Sequence, residues 1–200
     1  MIRVVNEFEK KMNNLCLDDA VGKIAKEEYG VHDMIIYPNH IAFRKFYSFY
    51  TIKQIEEKNE FIRIMPFYET TDSVRQTLFE KSHIIDNSKN ETDNSFATMD
   101  SLKYYFGNSK NIGAEQPLEN MVECAKKLGK KGLSVIGDLG IFSYKGKIPE
   151  LVDYELSLTK YYDLDIKCLC LYHQQDFNNL TDEQKQSLFE HHDEVMNIKI

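Results

Sequence analysis

Residues 166–177 read IKCLCLYHQQDF, and the first seven of them decide the fold. A strand with one face toward water alternates apolar and polar residues. IKCLCLY is apolar at nearly every position, the mark of a strand covered on both faces. Alternation along it places Cys168, Cys170 and Tyr172 on one face and Leu169, Leu171 and His173 on the other, so the cysteines and His173 diverge. A structural zinc site usually draws four converging ligands from turn-borne C-x₂-C pairs, and no second such pair follows. The two cysteines therefore read as small buried hydrophobes, and no metal is expected. His173 and Asp176 fall just past the strand.

Outward from this strand the same alternation recurs. LSVIG at 133–137, MIIY at 34–37, FIRIMPF at 61–67 and the closing VMNIKI read as further strands. Between them run helical patterns. A first helix is expected over about 5–28 on Phe8, Met12, Leu15, Val21 and Ile24, with Gly30 as its stop, and a second through Phe43, Phe46, Tyr47 and Tyr50. Thr70-Thr71 offers an N-cap to a third. Pro117 opens a helix that Gly129 closes, and Pro149 opens one carrying Leu151, Tyr154, Leu158 and Tyr161. Thr181-x-x-Gln184 is a capping box for the last, ending at His191-His192. Residues 86–95 are polar and predict a surface loop, with a short strand in FATMD and a short helix in LKYYF beyond it.

Uniformly apolar strands alternating with helices predict an α/β fold, a three-layer α/β/α sandwich with a mostly parallel sheet. In such sheets ligands sit beyond the carboxyl ends of the strands. The positions to inspect are Tyr37 to Asn39, Tyr68-Glu69, Asp138 to Gly140, and His173 to Asp176.

The 200-residue chain carries a net charge of −7, which argues against a protein that grips phosphate backbones, so direct nucleic-acid binding is not expected. Its densest basic stretch, KKLGKKG at 126–132, closes a helix, where cations complement the dipole and face water. No run approaches the ~18 apolar residues of a membrane span, and the N-terminus lacks an apolar signal region, so a cytoplasmic, membrane-free protein with four free thiols is expected.

A phosphate-binding loop is the first motif to seek in this architecture. GIFSYKGKI at 140–148 has one residue too many between its glycines and ends on Ile148 where a magnesium-binding hydroxyl should stand. The turn Tyr37-Pro38-Asn39-His40 has no glycine, so ATP hydrolysis is not expected. Ser134 lies inside a strand and no G-x-S-x-G elbow exists, so no serine triad assembles. Glu155 is read as solvent-facing beside an apolar Tyr154. An enzyme reading remains open, with Glu69, Asp138, His173 and Asp176 as acid and base groups around one crevice.

The chain resembles the MEDS family, the methanogen/methylotroph sensory domain. The matching stretches are His32-Asp33 leading into MIIY, FIRIMPFYETTDSVRQTL, KKLGKKGLSVIGDLG, LVDYELSL, CLCLYHQQDF and LFEHHDEV. The resemblance implies a RecA/KaiC-like core without a P-loop, spanning residues 31–200 after a helical extension over 1–30. It also implies a non-catalytic role: sensing a small molecule and passing the signal to a transcription regulator or a kinase, with no cofactor.

Carried over by the family pattern are His32, Glu69, Gly137, Asp138, Tyr154, Glu155, Cys170, Tyr172 and one of His191 or His192. The family's acidic residue after its C-x-Y motif is replaced here by His173. The combined ligand-binding candidates are His32, Tyr37, Asn39, Glu69, Gly137, Asp138, Glu155, Tyr172, His173 and Asp176. The N-terminal helix is the candidate contact for self-association.

Overall fold

Strand β6 (Ile166–His173) is buried along its whole length, as its continuous apolarity demands. The computed structural model describes residues 12–81, 95–107 and 115–199 of the chain. Beside β6 lie β2 (Val31–Tyr37) and β5 (Leu133–Asp138). β3 (Phe61–Met65) and β4 (Phe96–Thr98) complete one side, and β7 (Val195–Lys199) with β1 (Asn13–Cys16) the other. The order is β1-β7-β2-β6-β5-β3-β4 and every pairing is parallel. The sheet is compatible with a RecA-like core.

Parallel neighbours need crossovers, and helices supply them on both faces. One layer holds α1 (Leu17–Lys26), α2 (His40–Lys53, continued by a π turn over Gln54–Lys58) and α3 (Thr71–Lys81). Phe43, Phe46, Tyr47 and Tyr50 of α2 pack there against Ile35, Leu169 and Leu171 of the sheet. The other layer holds α4 (Ser101–Phe106), α5 (Glu115–Lys127), α6 (Gly140–Tyr144), α7 (Ile148–Ser157), α8 (Gln174–Asn178) and α9 (Asp182–His191). They cover Met34, Ile36, Cys168, Cys170 and Tyr172, so the split of the β6 side chains follows the expected alternation. The Thr181–Gln184 capping box is formed, and the Thr70 hydroxyl accepts from Ser73 N to start α3.

Two expectations are corrected. The unbroken helix over 5–28 gives way to β1 followed by α1, because Leu15 packs into the core at strand spacing and β1 completes the open edge of β7. Residues 13–26 therefore belong to the same sheet and core as the rest. Ala20, Val21, Ile24 and Ala25 bury the apolar face of α1 inside the chain itself. The helix opened by Pro149 ends at Ser157, leaving Tyr161 62% exposed beyond it. Residues 1–11 and most of the polar stretch 86–95 lie outside the described residues.

Leu171 and Met34 bury fully against opposite helical layers. Leu171→Ala and Met34→Ala are each expected to lower unfolding free energy by about 2–5 kcal/mol in denaturant titrations. A value below about 1 kcal/mol for either would contradict a sheet packed on both faces.

Candidate functional site

Strands β2 and β6 are direct neighbours, with Tyr37 opposite His173 at their carboxyl ends. From β2 the chain enters α2 in one layer, and from β6 it enters α8 in the other. Connections that leave neighbouring strands toward opposite faces open a crevice between them. Around it stand four rings. His40 and Tyr68 have centroids 5.2 Å apart, His40 and His173 5.7 Å, Tyr68 and His173 5.4 Å, and Tyr37 and His173 5.3 Å. Tyr68 donates its hydroxyl hydrogen to Asp176 Oδ2 at 2.5 Å. Asn39 caps α2 by accepting from Ala42 N at 3.0 Å. A side chain therefore occupies the place that a phosphate takes at a helix N-terminus in nucleotide-binding folds.

Asp138 ends β5 beside this crevice, fully buried. Its Oδ2 accepts from the amides of Phe67 (3.1 Å) and Tyr68 (3.2 Å), and its Oδ1 from Gly140 N (3.2 Å) and the Tyr37 hydroxyl (3.3 Å). Burial lifts its pKa from the ordinary 3.8 to about 6, with the amides and Tyr37 opposing the rise. Burial and the Asp138 charge push the Tyr37 phenol upward. Burial likewise lowers His173, although Asp176 draws it back and His40 lowers it further. The glycines here allow close approach: a Cβ on Gly137 would lie 2.5 Å from the Tyr105 hydroxyl, and one on Gly140 would strike the Tyr68 ring.

A second cluster lies inside the α7/α9 layer. His32 near the start of β2, Glu155 of α7, Cys170 of β6 and His192 just past α9 place their ligand atoms within 4.8 Å of one another. His32 Nε2 is 3.3 Å from Glu155 Oε2 and 3.3 Å from Cys170 Sγ, while His192 Nε2 is 3.0 Å from the same Glu155 oxygen. His32 and Glu155 are wholly buried and His192 nearly so. Burial pushes His32 toward its neutral form. Burial also opposes ionisation of Glu155, but the two imidazoles set against it, His192 and His32, outweigh it and hold the carboxyl below its usual range. Burial raises the Cys170 thiol well above its ordinary value.

The sequence candidates thus divide. Tyr37, Asn39, Gly137, Asp138, His173 and Asp176 meet at the carboxyl edge, whereas His32, Glu155 and Tyr172 belong to the inner layer. Glu69 joins neither: its carboxylate turns to Arg44, Tyr47 and Ser73 between α2 and α3. This removes it from the acid/base crevice considered above. The solvent-facing reading of Glu155 is corrected, since α7 turns Glu155 toward the two histidines and sets Tyr154 against Phe142 and Tyr105.

Tyr68 stood among the strand-end positions to inspect but not among the ligand-binding candidates, and His40 was missed. Tyr68 shares its position after β3 with Glu69, and only the turn geometry selects between them. Of the two candidate histidines, His192 enters the cluster while His191 Nε2 meets Leu158 O at 2.6 Å. A cavity of about 700 Å³ opens at the amino-terminal edge, where Lys167 Nζ pairs with Glu60 Oε1 at 3.2 Å and the lining Tyr162 ring lies 6.2 Å from that of His32.

No family model matches the chain, and no curated protein matches it. Among the described residues no helix is long and apolar enough to cross a membrane.

Because the Asp138 pKa is raised on folding, the native state holds its proton where the unfolded chain has lost it, and this contribution to stability fades as pH rises through the folded value. The stability of the wild type minus that of Asp138→Asn should therefore fall between about pH 4 and 6, by at most about 1.4 kcal/mol per unit, and level off above. A difference that is flat or rising over that range, measured by urea unfolding, would refute the assignment.

Proposed function

We propose that the chain is a non-catalytic sensory or regulatory domain that binds a small polar organic ligand at the carboxyl edge between β2 and β6, and that a regulator or kinase partner reads the bound state. The observation that carries this reading is the pairing of Tyr37 with His173 where the chain departs to opposite layers. A crevice of this kind is the ligand site of open α/β sheets. Its walls are aromatic and imidazole rings with the Asp138 and Asp176 carboxylates, suited to stacking and hydrogen bonding.

Three features weigh against phosphoryl transfer there. The turn after β2 has no glycine, Asn39 occupies the α2 amides, and the Asp138 carboxylate is engaged by three backbone amides and Tyr37. General acid or base work needs a group able to reach substrate, and Asp138 is committed to the turns around it. The resemblance to MEDS domains supports the same conclusion. A cytoplasmic location and signalling to transcription or a kinase form part of this proposal.

Native mass spectrometry of the purified chain is expected to detect a small molecule that wild type retains and that Tyr68→Ala and His173→Ala lose by about tenfold or more, with circular dichroism unchanged. MgATP should neither raise the melting temperature nor be hydrolysed. Equal retention by both folded variants, or magnesium-dependent hydrolysis abolished in Asp138→Asn, would sink the proposal.

A further inference from the structure

We propose that His32, Glu155, Cys170 and His192 form a buried binding site for one divalent transition-metal ion of the zinc class, ligated by both Nε2 atoms, a Glu155 carboxylate oxygen and the Cys170 sulfur. The inference does not rest on the carboxyl-edge reading. His32 and Tyr37 are five residues apart on β2, roughly 16 Å of strand.

The spacing is that of a coordination shell. Bonds of about 2.0–2.1 Å to nitrogen and oxygen and about 2.3 Å to sulfur set the edges of a tetrahedron at roughly 3.3–3.5 Å. The separations here are 3.3 Å for His32 Nε2 to Cys170 Sγ, 3.3 Å for His32 Nε2 to Glu155 Oε2 and 3.0 Å for His192 Nε2 to Glu155 Oε2. The remaining separations are no more than 4.8 Å, so side-chain shifts on the order of an ångström bring all four atoms around one centre.

Hydrogen-bond chemistry points the same way. His192 Nδ1 lies 2.7 Å from the Leu188 carbonyl oxygen, which can only accept, so Nδ1 carries the hydrogen. In neutral His192 the Nε2 lone pair then faces a Glu155 oxygen. Two lone pairs at 3.0 Å need a positive centre between them. An Nδ1 hydrogen anchored on a backbone carbonyl is also the usual support of a metal-bound histidine. His32 meets a related conflict, since one Nε2 faces both Glu155 Oε2 and Cys170 Sγ and a single N–H serves one of them.

Both Glu155 oxygens and His192 Nε2 are buried without a hydrogen-bond partner. A solution by protons alone therefore leaves polar atoms unpaired in a dry interior, at a cost of about 1–3 kcal/mol each. A metal ion satisfies the Glu155 oxygens and both Nε2 atoms at once.

The donor set names the metal class. Two imidazoles, a carboxylate and a thiol suit zinc and its first-row neighbours and disfavour magnesium and calcium, which take oxygen ligands. With four buried protein ligands, the site is closed, which marks a structural or regulatory ion rather than a catalytic one. The ligands come from β2, α7, β6 and the residue after α9, so an ion clamps the helical layer to the sheet. Its binding is coupled to folding.

The test uses the full chain, unfolded in guanidinium with a chelator, desalted, and refolded with Zn²⁺ or Co²⁺. Metal analysis after desalting should return about one equivalent per chain, with a melting temperature several degrees above that of the chain refolded without metal. The cobalt form should show tetrahedral d–d absorption and a thiolate-to-cobalt charge-transfer band. Cys170→Ser should lose the charge-transfer band, and His192→Gln should retain less than about a tenth of the metal. Wild type that is folded by circular dichroism yet keeps less than about a tenth of an equivalent would overturn the proposal and leave a proton-held cluster. A charge-transfer band that survives Cys170→Ser would overturn it too, moving the ion to Cys16, Cys124 or Cys168. Because the decisive readings are made on wild type, a variant that fails to fold does not rescue the idea.

Discussion

Asp138 is a carboxylate placed where water cannot reach it, and the carboxyl edge is arranged around that constraint. Burying a charge is costly unless hydrogen bonds replace the lost solvent. Here the replacements are the amides of Phe67 and Tyr68 after β3, the amide of Gly140 in its own turn, and the Tyr37 hydroxyl at the end of β2. Three connections that are far apart in sequence are thereby fixed to one side chain. Tyr68, held by its amide, is in turn positioned to reach Asp176 in α8.

Much of this was legible in the sequence, for identifiable reasons. IKCLCLY announced a strand buried on both faces because burial on two sides leaves no room for alternation. Thr181 and Gln184 announced a helix start because a capping box is a local interaction, complete within four residues. The edge residues Tyr37, Asp138 and His173 were found because a parallel sheet places its crevice at strand ends whatever the side chains are.

The members of the inner cluster were named by the family resemblance, but their convergence was not legible, because it depends on quantities that no local window holds. His32 pairs with Cys168, so its approach to Cys170 depends on the β2/β6 register and the shared face. Glu155 looked like an ordinary exposed carboxylate, since helical periodicity alone does not reveal that two histidines wait on the buried side of α7. The opening strand β1 was missed for a similar reason. Asn13–Cys16 is short and half-polar, and only the vacant edge of β7 makes it a strand.

The pairing of β1 with β7 bears on the order of assembly. Asn13 lies beside Met196, so the first described strand is completed only by the last described one. Until then the edge of β2 that will carry β7 stands open, and the segment leading into α1 has no partner. Contacts this distant in sequence form late, because the loop between them must close first. On the ribosome the chain would thus hold its central strands together for some time before sealing one border, a window in which another strand or a holding chaperone has access to that border.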